Sequence, residues 1–188
     1  RTEMKSRVLW AFDRPLIDNE GEYLILRNGS MIRARSLKFL KSENQLIAEY
    51  RGREYQLDFK QLSSISFQGA FYPQEKSIGF YSTANNFYED SHSYFTKSII
   101  GQSGLTKKRY KKSMLKFLVL SDAPYSECEY LLSTTSREII CGDDLRFGKD
   151  SVSLNTSFGE LTFLKEEICA IENRSRLQYL RAEHIKNI

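Results

Sequence analysis

The sequence has little of what marks a membrane span, a metal site or a cofactor site. No apolar run approaches the roughly 18 to 20 residues that a membrane-spanning helix needs, so we expect no transmembrane segment in this chain. The two histidines, His92 and His184, lie far apart, and neither belongs to a His-x-His or His-Glu-x-x-His pattern. We therefore predict no metal site and no cofactor.

Cysteine is also scarce, with Cys128, Cys141 and Cys169 as the only three, and no two of them form a Cys-x-x-Cys pair. Free, mostly buried thiols are the simpler interpretation. One bridge with a spare thiol is the alternative if the protein is exported. The chain begins with Arg1, so we expect its natural start to lie upstream, and the sequence neither indicates nor contradicts a signal peptide or anchor there.

Motifs of common enzyme classes are absent as well. There is no Gly-x-Ser-x-Gly elbow, and Gly101-Gln-Ser-Gly104 lacks the Lys-Ser/Thr ending of a phosphate-binding loop. The acidic neighbours Glu89-Asp90, Asp143-Asp144 and Glu166-Glu167 would point apart on a strand, whereas a glycosidase pair faces each other across roughly 5 to 10 Å. We predict no catalytic residue and expect that the protein is not an enzyme.

The sequence does contain one pattern twice. Tyr23-Leu24, Ile32 and Gly52 have counterparts 107 positions later, in Tyr130-Leu131, Ile139 and Gly159. A gap of one residue near positions 41–44 extends the match to four further positions, with Leu37, Phe39, Leu62 and Ile65 opposite Leu145, Phe147, Ile168 and Ile171. We predict two copies of one unit, residues 5–67 and 114–173, called here the first and second repeat.

Short strands joined by tight turns are predicted in both repeats. Asn28-Gly29 is a strong signal for a two-residue hairpin, and because Thr135-Ser136 stands in its place in the second repeat, we expect a longer or different turn there. Tyr55, Leu57 and Phe59 alternate with polar residues, as in a half-buried strand. The residues expected in cores are Trp10, Ile32, Leu57, Phe59, Ile139, Leu154, Leu161 and Phe163.

Five or six short strands in about 60 residues predict a mainly β fold, with two duplicated small barrels or sandwiches of SH3-like or Sm-like type. The tail at residues 174–188 lacks Gly and Pro and spaces its apolar residues by three and four, which predicts a C-terminal amphipathic helix.

The apolar-Asn-Gly-x-x-Ile start, the later Leu-x-x-Tyr and the closing Ile-x-x-Ile resemble the uncharacterised small β repeats, often in tandem, of envelope proteins of planctomycete-like bacteria. The resemblance covers residues 5–67 and 114–173. It implies a non-catalytic surface or scaffolding module of an envelope or secreted protein, and it favours an extracytoplasmic location over a cytoplasmic one.

The segment between the repeats, residues 68–113, is rich in aromatic and basic residues. Four adjacent Phe/Tyr pairs occur in it, and each pair on a strand would offer one ring to a core and one outward. The rings either cover the open ends of two barrels or form a binding platform with Tyr81 and Tyr88. This insertion holds seven Lys or Arg against three acids, whereas the rest of the chain has 21 of each.

The most basic run is Lys107-Lys108-Arg109-Tyr110-Lys111-Lys112, which we predict to be a loop. Five cations around one tyrosine can hold phosphates by charge and a base by stacking, and they also suit an acidic protein, an anionic polymer or lipid headgroups. A solvated loop that maintains solubility fits the pattern equally well. The Asp-x-x-Asn element that Sm-like proteins use to bind RNA is absent from both repeats.

These observations predict a non-enzymatic interaction or scaffolding module that uses the basic run and the aromatic insertion to contact a protein or an anionic polymer. The alternative is an Sm-like nucleic-acid-binding protein.

Overall fold

The computed structural model describes residues 8–11, 20–40, 45–70, 78–83, 87–95, 98–103, 106–121 and 128–174. For residues 8–10, 87–95, 98–103, 106–108 and 112 this description covers the backbone alone. These ranges consist mainly of antiparallel strands, so the prediction of a mainly β fold is confirmed. The predicted C-terminal helix falls outside the described residues from position 175 onward.

Contacts divide the chain into two compact units. Residues 19–125 form the central unit, and residues 1–18 together with 126–188 form the terminal unit.

The central unit contains eleven strands in its described ranges: β2 Glu22–Leu26, β3 Met31–Ala34, β4 Ser36–Leu40, β5 Gln45–Tyr50, β6 Arg53–Asp58, β7 Leu62–Ser66, β8 Gly79–Ser82, β9 Phe87–Phe95, β10 Ser98–Ser103, β11 Thr106–Lys111 and β12 Leu115–Val119. One sheet has the order β3-β2-β7-β12-β8-β9-β10-β11, and β4-β5-β6 form a second. Short 3-10 helices occupy Phe59–Gln61 and Lys112–Met114.

Both faces of the larger sheet are buried near β7. On one face a row of apolar side chains runs in register across five neighbouring strands, each fully buried: Ile32, Leu24, Ile65, Leu118 and Phe80. The opposite face carries Tyr23, Phe117 and Tyr81, which are buried as well. Both rings of the Phe80-Tyr81 pair are therefore inside, so the expectation of one inward and one outward ring is wrong for this pair.

The predicted insertion forms the four strands from β8 to β11. Their paired order would separate β8 from β11 by about 14 Å in a flat sheet, because neighbouring strands lie roughly 4.8 Å apart. The rings of Phe80 on β8 and Tyr110 on β11 nevertheless meet with centroids 5.1 Å apart. The strands therefore curl, and these two rings meet on the concave side.

The terminal unit contains β1 Val8–Ala11, β13 Tyr130–Thr134, β14 Ile139–Phe147, β15 Ser151–Thr156, β16 Gly159–Leu164 and β17 Ile168–Asn173, with a 3-10 helix at Lys165–Glu167. Their order is β1-β17-β13-β14-β15-β16. The first part of β14 pairs with β13 and the second with β15, with a register shift between Asp143 and Arg146. Just before this register shift, a Cβ on Gly142 would overlap the backbone oxygen of Asn155, so only glycine permits the two backbones to come this close.

The two repeats have the same hairpin turn, contrary to the expectation from Thr135-Ser136. In the first, Gly29 donates its N–H to the Leu26 carbonyl (3.0 Å) and has φ of 88°. In the second, Arg137 donates to Thr134 (3.1 Å) and has φ of 60°. Both are three-residue turns that end in a left-handed residue, rather than the predicted two-residue turn.

Side chains support the unusual Arg137 conformation. Ser136 donates its hydroxyl to the Glu138 carboxylate (3.0 Å), and the Glu138 N–H donates to the Thr134 hydroxyl (3.2 Å). In the first repeat the corresponding turn has Asn28 accepting from the Ser30 N–H (2.9 Å). In the second repeat, local hydrogen bonds thus support a left-handed backbone conformation that glycine adopts easily in the first.

At this hairpin, the positions with matching strand pairs lie 108 residues apart, not the 107 of the sequence match. Leu24 pairs with Ile32 and Ile65, and Leu132 pairs with Ile140 and Ile171. Leu132 and Ile140 are buried, whereas Ile139 is only half-buried. A slip of one residue moves a side chain to the other face of a strand, and this explains why the prediction of Ile139 as a core residue is wrong.

The other core predictions divide as follows. Ile32, Leu57, Leu154, Leu161 and Phe163 are buried, as predicted. Phe59 is half-buried, because β6 ends at Asp58 and Phe59 begins a 3-10 helix, where its ring meets Phe39 at 6.2 Å. The side chain of Trp10 lies outside the description.

The structure joins Cys128 and Cys141 in a disulfide and leaves Cys169 as a free thiol. The prediction of three free thiols is therefore wrong, and the alternative of one bridge and one spare thiol is correct. The bridge links the residues leading into β13 to the neighbouring strand β14.

The compact units do not follow the boundaries of the repeats. The first strand of the first repeat, β1, pairs with β17, the last strand of the second repeat, and β12, at the start of the second repeat, pairs with β7. Strand β1 thus belongs to the first repeat by sequence but to the terminal unit by contacts. Strand β12 belongs to the second repeat by sequence but to the central unit by contacts.

Removing a core side chain of β16 should destabilise the fold. We expect Leu161→Ala, at a position 5% exposed, to cost about 2 to 5 kcal/mol because it leaves a cavity. Leu164→Ala, on the same strand but 50% exposed, is the matched control and should cost well under half as much. Urea unfolding measures both, and equal losses would show that the strand faces are wrongly assigned.

Breaking the disulfide should also weaken the terminal unit. The bridge joins two residues that lie 13 positions apart in the sequence, so its loss should cost about 3 kcal/mol through the greater freedom of the unfolded chain. Thiol alkylation followed by mass spectrometry should label one cysteine, Cys169, in the oxidised protein unfolded without reductant. Labelling of three cysteines there would contradict the bridge.

Candidate functional site

The predicted basic loop is a strand. Residues Thr106–Lys111 form β11, which pairs antiparallel with β10 along its whole length and is the last strand of the larger sheet in the described ranges. Lys112 begins the 3-10 helix that follows. The backbone of this segment therefore has a regular, extended geometry.

The two described tyrosines of the predicted site belong to the core. Tyr110 is 5% exposed and packs edge-on against Phe80, and Tyr81 is 8% exposed and packs with Phe117 and Val119. Neither ring is available for a base to stack on. The side chains of Tyr88, Lys107, Lys108 and Lys112 lie outside the description.

Arg109 and Lys111 are exposed on either side of buried Tyr110. Alternate residues of a strand share one face and lie about 7 Å apart, so these two cations flank the core-facing ring on the opposite, solvent-facing side. The burial of Tyr110 holds the strand in place and thereby fixes the spacing of the two cationic positions.

The strand opposite β11 carries no charge. β10 has the sequence Ser-Ile-Ile-Gly-Gln-Ser, and its Ile100 and Ser98 stand opposite Arg109 and Lys111. Elsewhere in the described ranges, cations meet acids that lie two strands away, as in Lys38–Glu54 at 3.7 Å across β5 and Arg146–Glu160 at 3.9 Å across β15. The exposed cations of β11, in the segment that holds the charge surplus of the chain, make this strand the best candidate for a surface that attracts an anionic partner.

The segment after β11 is held by hydrogen bonds to its backbone carbonyl groups. Gln68 donates its side-chain amide to the Ser113 carbonyl (3.2 Å), and the Thr83 N–H donates to the Met114 carbonyl (2.9 Å). Met114 is 47% exposed, so an apolar side chain adjoins the cationic strand at one end.

The described acidic neighbours have structural positions. Asp143 accepts the Glu129 N–H (2.9 Å), and Glu167 accepts the Leu164 N–H (2.8 Å) at the start of a 3-10 helix. Burial raises the pKa of the Tyr130 hydroxyl, and the hydrogen bond and negative charge of Glu129 add to the rise. Among the residues whose positions are described, no group of three or more His, Cys, Asp or Glu could hold a metal ion.

Comparison with known proteins found no matching family model, curated protein or solved structure. The resemblance to planctomycete-type envelope repeats therefore remains a prediction. Within the described ranges, no helix is both long and apolar enough to cross a membrane.

The sequence did not reveal that the basic run is a strand. Nearly all of its residues are charged, so no alternation of apolar and polar residues is visible in it. Only Tyr110 interrupts the cations, and one aromatic residue is too little signal for a period of two. The uncharged segment at 98–103 and the Gly-Leu pair that follows it were the available hints of a hairpin.

Variants of β11 should separate core from surface. Tyr110→Ala should destabilise the protein by about 3 kcal/mol because it removes a buried ring, whereas Arg109→Gln with Lys111→Gln should change stability by less than about 1 kcal/mol. Denaturant unfolding is the measurement. A larger loss for the double variant than for Tyr110→Ala would mean that the two faces are exchanged.

Proposed function

We propose that the chain is a tandem of two SH3-like β units that acts by binding, and that the cationic strand β11 is its contact site for an anionic partner. The strand orders support the first part. β7-β2-β3 followed by β4-β5-β6, and β17-β13-β14-β15-β16, each carry a 3-10 helix before the last strand in sequence, as SH3-like barrels do.

The contact site is supported by one observation above all: Arg109 and Lys111 are exposed on a strand whose paired neighbour has no charge. The charge surplus of the chain lies in the same insertion. Because Tyr110 anchors the strand, the backbone that carries the cations needs little further ordering when a partner binds.

The proposal also includes a non-cytoplasmic location. The Cys128–Cys141 disulfide supports an oxidising compartment, since such bridges are rare in most cytosolic proteins. An envelope or secreted scaffolding role agrees with this compartment.

Nucleic acid is the weaker candidate for the anionic partner. Single-stranded RNA is held by stacking as well as by charge, and the buried rings of Tyr110 and Tyr81 remove the described stacking surface. An acidic protein or polymer needs charge alone.

The test compares wild type with Arg109→Gln/Lys111→Gln in binding to polyglutamate, anionic polysaccharide and single-stranded RNA at two salt concentrations. We expect the acidic polymers to bind wild type, and the variant to bind at least about fivefold more weakly, since two charge contacts are lost. Arg35→Gln/Lys38→Gln, which removes two exposed cations instead, one just before β4 and one on it, is the matched control and should leave binding unchanged.

Two results would contradict the proposal. Equal binding by wild type and the β11 variant would show that these cations do not form the contact site. Unchanged binding together with increased aggregation of the variant would mean that the cations only protect a sheet edge from other strands.

A further inference from the structure

We propose that the protein joins two copies of its own chain by exchanging strand β1, so that β1 of one copy pairs with β17 of the other. The partner is therefore a second copy of this chain. The inference rests on the tandem arrangement in the proposed function and goes beyond it, and it is independent of the contact site on β11.

The structure already contains this exchange within one chain. If each repeat were self-contained, its first strand would pair with its own last strand. Instead β1, from the first repeat, pairs with β17, and β12, from the second repeat, pairs with β7. Each repeat thus receives the first strand of the other repeat.

The two exchanged strands occupy equivalent places. In each unit a buried isoleucine of the last strand lies between a leucine of the second strand and a residue of the exchanged strand: Leu132–Ile171–Trp10 in the terminal unit and Leu24–Ile65–Leu118 in the central unit. Trp10 and Leu118 lie 108 positions apart, the same separation as Leu24 and Leu132. A first strand therefore pairs with a last strand in one register, whichever repeat it comes from.

A second copy of the chain supplies an identical β1. The backbone pairs that β1 and β17 form within one chain would form between two chains, so the exchange requires no new surface. Domain swapping of this kind is a low-cost route to dimers, because its main cost is the entropy of association. In sequence the whole central unit separates β1 from β17, so no hairpin turn joins these two strands.

Strand β1 can leave β17 without unfolding of the whole unit. It has four residues and pairs with β17 at three positions, with a register shift between Val8 and Trp10. Strand β13 pairs with β17 at five positions by comparison. Short strands with few pairs open locally more readily than strands with many, so β1 is the element of this unit best suited to exchange.

The test uses full chains in which Cys169→Ser removes the free thiol. One chain carries Ala11→Cys and a second, isotopically labelled chain carries Ala170→Cys, because these two residues stand directly opposite each other. Opposed residues of antiparallel strands have Cα atoms about 4.5 to 5.5 Å apart, which suits a disulfide. The chains are mixed at about 1 mM, the range of effective concentration that a tether gives, and then mildly oxidised. We expect mass spectrometry to find a disulfide between labelled and unlabelled chains.

The equivalent pair of the central unit provides the matched control. Val119→Cys and Ser64→Cys also stand opposite each other, but both strands belong to one continuous stretch of the chain. A mixture of these two variants should give at least about tenfold less disulfide between chains. Equal yields from the two mixtures would mean that the bonds form by random contact, and would overturn the exchange.

A second measurement follows the dimer without a covalent bond. In sedimentation velocity, the Cys169→Ser chain should show a dimer fraction that rises with protein concentration. A chain that carries both Ala11→Cys and Ala170→Cys, oxidised while dilute, should hold β1 on its own β17 and stay monomeric until it is reduced. Dimers that persist in this locked chain, or the absence of both dimers and mixed disulfides, would overturn the proposal.

The outcomes also separate this inference from the proposed function. If the locked chain forms its internal bond but no bond forms between chains, the exchange is wrong while the tandem arrangement stands. If neither Ala11→Cys/Ala170→Cys nor Val119→Cys/Ser64→Cys closes within one chain, the strand pairing of both units is wrong, and the tandem arrangement and the exchange are both overturned. Binding of polyglutamate is measured separately and concerns the contact site on β11 alone.

Discussion

Strand β7 pairs with β2 on one side and β12 on the other, and all five of its residues are buried. An antiparallel sheet usually leaves one face to solvent, so a strand covered on both faces limits what its residues can be. Ser64 and Ser66 suit such a position, because their small side chains leave room for bulky side chains on the neighbouring strands. In register, Ser66 lies between Tyr23 and Phe117, and its hydroxyl donates to the Gly69 carbonyl at 2.6 Å.

The rest of the central unit depends on this double burial. The apolar row from Ile32 to Phe80 crosses β7 at Ile65, and the curled strands from β8 to β11 continue the same sheet. The Phe80–Tyr110 contact closes the curl and leaves the opposite side of β11 to solvent. The position of the cationic strand thus follows from packing that begins several strands away.

Much of the fold could be predicted from the sequence, because alternation and turn residues are local signals. The strand-rich class and the cores around Leu57 and Phe163 are of this kind. The register of the second repeat could not be predicted, since Tyr23-Leu24 and Tyr130-Leu131 match by identity while pairing geometry matches Leu24 with Leu132. Identity compares residues one at a time, whereas burial depends on which strands stand beside them.

The residue types of the candidate site could be predicted from the sequence, but their arrangement on a strand could not. The cations of residues 107–112 are evident in the sequence, yet the inward direction of Tyr110 depends on Phe80, thirty positions earlier. The turn at Thr134–Glu138 shows the same limit, because a hydrogen bond donated by the Ser136 hydroxyl and one accepted by the Thr134 hydroxyl support Arg137 in the place of glycine.

The pairing of β1 with β17 has a consequence for the order in which the protein forms during synthesis. The central unit is complete in sequence once residue 125 has left the ribosome, whereas the terminal unit draws strands from both sides of the central unit in sequence. Strand β1 is made before the central unit but must wait for β17, which is made after it. Such distant pairing forms slowly, so a nascent chain carries β1 without its partner strand while the whole central unit is made, and unpaired strands are prone to misassociation.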